Sequence, residues 1–210
     1  MSIAMLGRHV TYILNPDMTL NVDALNTYLK KNRGERILLF GMTFMVWKHF
    51  YQELARNNLY PDMSNVFLLQ SGGWKKLQEE AVTRETFKNS ITAQCGITCF
   101  SDHYSMSEQN GSVYAECEYG HYHASIYSDI IIRNPKDFSP CEKGKEGIIQ
   151  VVSCCPHSYP GNSLLTEDWG VVEGIDDCPC GRKGKYIRII GRMKKAEIRG
   201  CGDTYAQSFQ

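Results

Sequence analysis

Tyr104-Ser105-Met106-Ser107-Glu108 follows a short apolar run, Ile97-Thr98-Cys99-Phe100, and divides the 210-residue chain into two textures. Before it, apolar runs alternate with helix signals. Asn21-Val22-Asp23 caps a predicted helix over Ala24 to Lys31, with Leu25 and Leu29 one turn apart. Arg36 to Gly41 is a short apolar run bounded by glycine, as expected of a buried parallel strand. Thr43 is read as the cap of a second helix, Phe44 to about Asn57. Asn65 to Gln70 is a second buried strand, Thr83 opens a third helix, and Ile97 to Phe100 is a third strand. The fold class is therefore α/β, a parallel βαβαβ half. His9 to Leu14 is also strand-like, and Asn15-Pro16-Asp17 is a turn.

After Glu108 the helix signals stop. Ser112 to Glu116, Tyr127 to Arg133, Gly147 to Ser153 and Gly170 to Glu173 read as strands joined by turns such as Asn134-Pro135. The expected domains are an α/β part over 1–110 and a β-rich part over 111–210.

Composition narrows the function. Basic and acidic residues number 23 each, so there is no broad positive footprint for nucleic acid or an anionic membrane. No apolar run reaches the length of a bilayer span. Met1 to Gly7 lacks the basic region of a secretory signal. Nine cysteines, unevenly spaced in a chain this long, suggest reduced thiols in a cytoplasmic protein, some of them on a metal.

The pentapeptide carries chemistry suited to a nucleotide. An aromatic face stacks on a base, a hydroxyl reaches a phosphate oxygen, and a carboxylate holds magnesium, which prefers oxygen ligands. Thr166-Glu167-Asp168-Trp169-Gly170 adds an acid whose two oxygens match the spacing of two ribose hydroxyls. Gly191-Arg192 adds a planar cation. Gly72-Gly73, after the second strand, is either a tight turn or a pocket wall where ligands enter α/β sheets. Cys117 and His123, with His121 nearby and Cys178-Pro179-Cys180 later, give a candidate tetrahedral Cys3His zinc site. Unligated thiols in a β-core are the other reading, because Cys-x-Cys is a less typical metal spacing than Cys-x-x-Cys.

Tyr104 to Glu108, Thr166 to Gly170 and Gly191-Arg192, in this order, resemble the core motifs of the adenylate-forming enzymes. Ser105 and Ser107 replace the usual Gly and Thr, and Glu167 replaces Gly. Within that superfamily the chain is similar to the acyl-protein synthetase (LuxE-type) family. The shared wording includes Leu39-Phe40-Gly41, Gly72-Gly73-Trp74-Lys75-Lys76, Leu165-Thr166-Glu167-Asp168 and Arg199-Gly200-Cys201. The resemblance implies ATP/AMP and Mg2+ as cofactors and a fatty acid or other carboxylate as substrate. It implies Tyr104 on adenine, Ser107 on the α-phosphate, Glu108 on magnesium, Asp168 on ribose, and Arg192 as a second contact. Gly72 and Gly73 would wall the nucleotide pocket, and Cys201 would accept the acyl group as a thioester. Phenylacetate-CoA-ligase-like relatives carry zinc in the region of Cys117, His123, Cys178 and Cys180. The resemblance favours His123 over His121, because its distance to the Ile130-Ile131-Ile132-Arg133 strand matches that in these relatives.

The family's Ser/Thr/Gly-rich triphosphate loop and its C-terminal lid lysine have no counterpart in these 210 residues. The expectation is therefore a chain that is incomplete for catalysis alone. It would act with a missing N-terminal chain, or with a reductase or transferase subunit. A CoA-ligase fragment and a non-catalytic, zinc-stabilised AMP-binding module are the alternatives.

Overall fold

The computed structural model describes residues 8–74 and 80–193. The chain forms two compact units, one running to Ser101 and the other beginning at Asp102.

In the first unit, α1 (Val22–Lys31) starts where the Asn21 side chain accepts the Ala24 N–H at 2.9 Å. Such a cap contributes about 1 kcal/mol. Lys30 and Lys31 in the last turn suit the negative end of the helix dipole. β1 (Ile37–Met42) and β2 (Val66–Ser71) pair in parallel, Ile37 opposite Val66. Between them run α2 (Thr43–Met45), a π-helical stretch (Val46–Tyr51) and α3 (Gln52–Arg56). Thr43 is not the expected cap. The chain enters α2 directly from β1, Met42 takes the cap position without a side-chain bond, and the Thr43 hydroxyl donates to Gly72 O at 2.6 Å. The π-helical stretch presents Trp47 and Phe50 to a core shared with Leu54, Val66, Leu68, Phe87 and Ile91.

α4 (Arg84–Cys95) is capped by Thr83 and ends at Gly96, whose φ of +76° is a left-handed conformation that glycine adopts without strain. The expected strand over His9 to Leu14 is reduced to one bridge, Leu14 to Leu20.

The second unit is an antiparallel β structure. β3 (Cys99–Tyr104) crosses the unit boundary and pairs with β4 (Tyr114–Glu116), which pairs with β5 (Tyr122–His123). β6 (Ser128–Arg133), β7 (Glu146–Ser153), β8 (Ser163–Ile175) and β9 (Lys185–Arg192) follow in order, and β9 also pairs with β5. Ile130, Ile132, Ile149, Val151, Val172 and Ile187 alternate inward to form its core. Fully burying one such side chain stabilises the fold by about 1.5–3 kcal/mol.

Three expectations need correction. β3 extends to Tyr104, so that residue ends a strand rather than starting a loop. β8 is 13 residues long, so Asp168 sits mid-strand, not just before the strand expected over Gly170 to Glu173. β5 and β9 were not expected; β5 is only two residues long, and the two pair with each other across a long stretch of sequence, so pairing rather than local pattern creates them. No helix among the described residues is long and apolar enough to cross a membrane.

Candidate active site and thiol–imidazole cluster

Tyr104 and Asp168 meet. The Tyr104 hydroxyl donates to Asp168 Oδ2 at 2.6 Å, across 64 residues of sequence. Both residues are partly exposed. The Tyr104 ring lies 6.0 Å from the Tyr114 ring, which is buried in the core. Burial, and then the neighbouring Asp168 charge, hold the Tyr104 phenol well above its ordinary value, so the tyrosine stays neutral. Asp168 is aimed by its own strand. Its N–H donates to Thr166 Oγ1 at 3.1 Å, and the Thr166 hydroxyl donates to Ile149 O at 2.7 Å.

Ser107 and Glu108 lie on a single 3₁₀ turn, Ser107–Gln109, and both are exposed. Gln109 holds that turn in place. It is 1% exposed, donates to Gly161 O at 3.0 Å and accepts from the Tyr114 hydroxyl at 3.1 Å. The polar side chain next to Glu108 is thus sunk into the unit, and the acid is turned outward. Arg192 is the β9 partner of Asp168, but its guanidinium donates to Glu167 Oε2 at 2.6 Å. Gly72 and Gly73 are exposed and belong to the first unit, where Gly72 has φ +74° and is tethered by Thr43. Cys201, Lys75 and Lys76 lie outside the described residues.

A second cluster lies on the same unit. The ligand atoms of Cys117, His123, Cys178 and Cys180 all fall within 4.8 Å of one another. Cys117 Sγ is 4.0 Å from Cys178 Sγ, and Cys180 Sγ is 3.4 Å from His123 Nε2. A tetrahedron with Zn–S of about 2.3 Å and Zn–N of about 2.0 Å has edges of roughly 3.5–3.8 Å, so the spacing suits that metal. Cys117, Cys178 and His123 are buried, and Cys180 is partly so. Burial, together with the charges of Arg182 and His121, keeps His123 below the ordinary imidazole value; neutral imidazole is the ligating form. Its Nδ1 is buried without a hydrogen-bond partner among the described residues. Burial pushes the Cys178 thiol up to about 11. Burial also raises Cys180, but the Arg182 N–H and the neighbouring thiols outweigh it and bring that thiol below its ordinary value.

Tyr186 roofs the cluster. Its ring lies 5.6 Å from His123 and 4.6 Å from His121. Gly174 makes room for it, since a Cβ there would collide with the Tyr186 ring and with Asp177. The sequence singled out the four ligands, but not Tyr186, Gly174 or Gln109. Gly174 is a glycine inside a strand, at a register shift between Val172 and Gly174, which is a signal for close approach, though it does not say of what.

The model of the acyl-protein synthetase family, LuxE, matches residues 10–210. The chain belongs to that family. This LuxE-family chain is 22% identical over 184 residues to the long-chain-fatty-acid--luciferin-component ligase of Vibrio harveyi, covering 85% of this chain and 47% of that protein. It is 25% identical over 184 residues to the ligase of the same name from Aliivibrio fischeri, covering 86% of this chain and 48% of that protein. The chain thus spans about half the length of the curated relatives it matches. Among solved structures it is similar to 2-hydroxyisobutyryl-CoA ligase, in an open conformation with 2-HIB-AMP and CoA. The TM-score is 0.60 and the identity 21%, over 84% of this chain and 40% of that one. ATP-bound MatB from Rhodopseudomonas palustris gives a TM-score of 0.51 at 15% identity, over 80% of this chain and 33% of that one. These likenesses show the fold, that of the adenylate-forming enzymes. The family expected from the three sequence motifs is the family found.

In this LuxE-family chain the two clusters offer different chemistry. Tyr104 and Asp168 present an aromatic face and a carboxylate to one partly open place, which suits a nucleoside. The thiols and imidazole present N and S donors on all sides of one buried point, which suits a closed structural ion.

Proposed function

We propose that the chain is the nucleotide-binding part of an enzyme that activates a fatty acid as acyl-adenylate and passes the acyl group to a cysteine. The observation that carries this reading is the Tyr104–Asp168 contact at 2.6 Å, which joins two motifs 64 residues apart. Family membership supports the reaction class.

In this reading Tyr104 packs on adenine, Asp168 accepts hydrogen bonds from the ribose hydroxyls, and Ser107 contacts the α-phosphate. Arg192 leaves Glu167 to add a contact to ribose or phosphate. Glu108 would hold magnesium, which supplies charge neutralisation at the phosphate oxygens. A carboxylate oxygen of the fatty acid attacks the α-phosphorus of ATP, and the bond to the pyrophosphate oxygen breaks. The Cys201 thiolate then attacks the acyl carbon, the carbon–oxygen bond to AMP breaks, and AMP leaves with the electron pair. A thioester remains, which splits one hard transfer into two easier ones. A reductase or transferase subunit receives the acyl group. Cys117, His123, Cys178 and Cys180 hold a structural zinc ion. The reading places the chain in the cytoplasm, in keeping with eight described cysteines that are all free thiols.

Preformed radioactive acyl-adenylate tests the acceptor without asking the chain to grip a triphosphate. Label is expected on the wild-type chain and not on Cys201→Ser. Label retained by that variant, or transfer to coenzyme A in place of protein, would overturn the thioester step. ATP–pyrophosphate exchange by the 210-residue chain is expected to be slow, because the phosphate-gripping loop has no counterpart in it. Rapid exchange would refute that expectation.

A further inference from the structure

His121 is not one of the four clustered ligands, yet it touches them. Its Nδ1 lies 3.2 Å from Cys178 Sγ, and its Nε2 lies 3.2 Å from Glu173 Oε2. Glu173 Oε1 in turn accepts from Arg188 Nε at 2.6 Å. Tyr186 covers the His121 ring at 4.6 Å. The backbone is fixed as well, since the Cys117 N–H donates to His121 O at 2.9 Å and the Gly120 N–H donates to Cys117 O at 2.9 Å. His121 therefore has one place to be, and both its nitrogens face acceptors.

We propose that His121, braced by Glu173 and Arg188, is a positioning residue that donates a hydrogen bond to the Cys178 thiolate and sets the cluster's affinity for zinc. This rests on the zinc reading above. The electrostatics are specific. Three thiolates around one divalent ion leave a net charge of −1 in a buried place, which is costly unless compensated. A hydrogen bond donated from His121 Nδ1 to Cys178 Sγ draws off part of that excess, and Arg188 holds Glu173 where it orients the ring. A hydrogen bond to the sulfur also fixes the direction from which Cys178 approaches the ion.

The test uses the full chain, with zinc affinity measured by chelator competition and cobalt(II) substituted for spectroscopy. His121→Phe keeps an aromatic under Tyr186 and removes both nitrogens. Its zinc affinity is expected to fall about 10–100-fold. His121→Asn keeps an N–H near the position of Nδ1 and is expected to recover part of that loss. Glu173→Gln leaves the ring intact and should lie between wild type and His121→Phe, which keeps a readout if the phenylalanine variant misfolds. The tetrahedral cobalt d–d bands should persist in all variants. In His121→Phe the sulfur-to-cobalt charge-transfer band should move to longer wavelength, because a thiolate without its donor gives up charge more easily.

Wild-type metal binding with unchanged affinity and band position in His121→Phe overturns this inference alone. Loss of the tetrahedral bands in that variant also overturns it, because His121 would then be a ligand. A wild-type chain that takes up neither zinc nor cobalt removes the zinc reading and this inference together.

Discussion

At one end of the β8–β9 hairpin Asp168 stands opposite Arg192, and at the other Gly174 stands opposite Tyr186. The first end is half open. Asp168 and Tyr104 are partly exposed, and Ser107, Glu108 and Arg192 are exposed. The second end is closed, with Cys117 at 2%, His123 at 5% and Cys178 at 6% exposure. The hairpin thus joins a half-open end, which carries the carboxylate proposed for ribose, to a closed end, whose loop carries Cys178 and Cys180 of the proposed zinc site. An exchangeable nucleotide would need the first to stay open, and a structural ion would need the second to stay shut.

That contrast predicts an asymmetry. Cys178→Ser removes one arm of the closed cluster. It is expected to abolish stoichiometric zinc binding and to destabilise the fold by about 4–5 kcal/mol, the range of metal-loss mutations. Zinc content and the denaturant midpoint read this directly. AMP affinity should fall too, because the loop that carries Cys178 and Cys180 joins β8, which holds Asp168, to β9, which holds Arg192. A variant with full stability and full AMP binding would mean the thiols carry no structural ion.

Asp168→Ala strikes the open end. AMP affinity by calorimetry should drop about 10–100-fold, because two hydrogen bonds from ribose replace the one from Tyr104, a net gain of one bond to a charged acceptor. Zinc content and stability should hold, since Asp168 is partly exposed and contributes no ligand. An unchanged affinity would move the ribose away from this residue and break the comparison.

Much of this arrangement was legible in the chain, and the failures have physical causes. The caps at Asn21 and Thr83 could be read because their partners lie three residues away. The parallel strands could be read from their continuous apolar runs, but burial on both faces was not borne out, since Leu38, Phe40 and Phe67 are 44%, 43% and 41% exposed. The four clustered residues could be picked, the thiols by residue type and His123 by resemblance to relatives, and the fold brings them together. β9 could not be read, because its residues show burial only once β5 and β8 flank them. Asp168 was expected just outside a strand because the run read as a strand began only at Gly170. In the fold Gly170 is buried in mid-strand, with Ile149 and the Arg188 carbonyl so near that a Cβ there would lie 2.8 and 3.1 Å from them. His121 looked like a rejected ligand, because sequence spacing holds no information about Glu173 across the sheet.

Gly174→Ala tests whether the closed end depends on its roof. The new methyl displaces Tyr186, and the expected cost is about 1–3 kcal/mol, as for other overpacked sites. Thermal unfolding gives that number, and alkylation of Cys180 should become faster as the roof lifts. Unaltered stability would mean the ring moves aside freely and is not part of the closure.

The smallest effect is the most informative about the open end. In the free chain Tyr104 occupies the carboxylate proposed to bind ribose, through its hydroxyl at 2.6 Å. A nucleotide that uses Asp168 must break that bond first. Tyr104→Phe keeps the ring face for adenine and deletes the competitor. It should therefore bind AMP as well as wild type or up to about tenfold better, the worth of one modest hydrogen bond. Tyr104→Ala should bind worse, because the stacking face goes with the hydroxyl. If phenylalanine instead weakens binding as much as alanine, the hydroxyl acts in the bound state, and the tyrosine is a ligand contact there rather than a placeholder in the empty site.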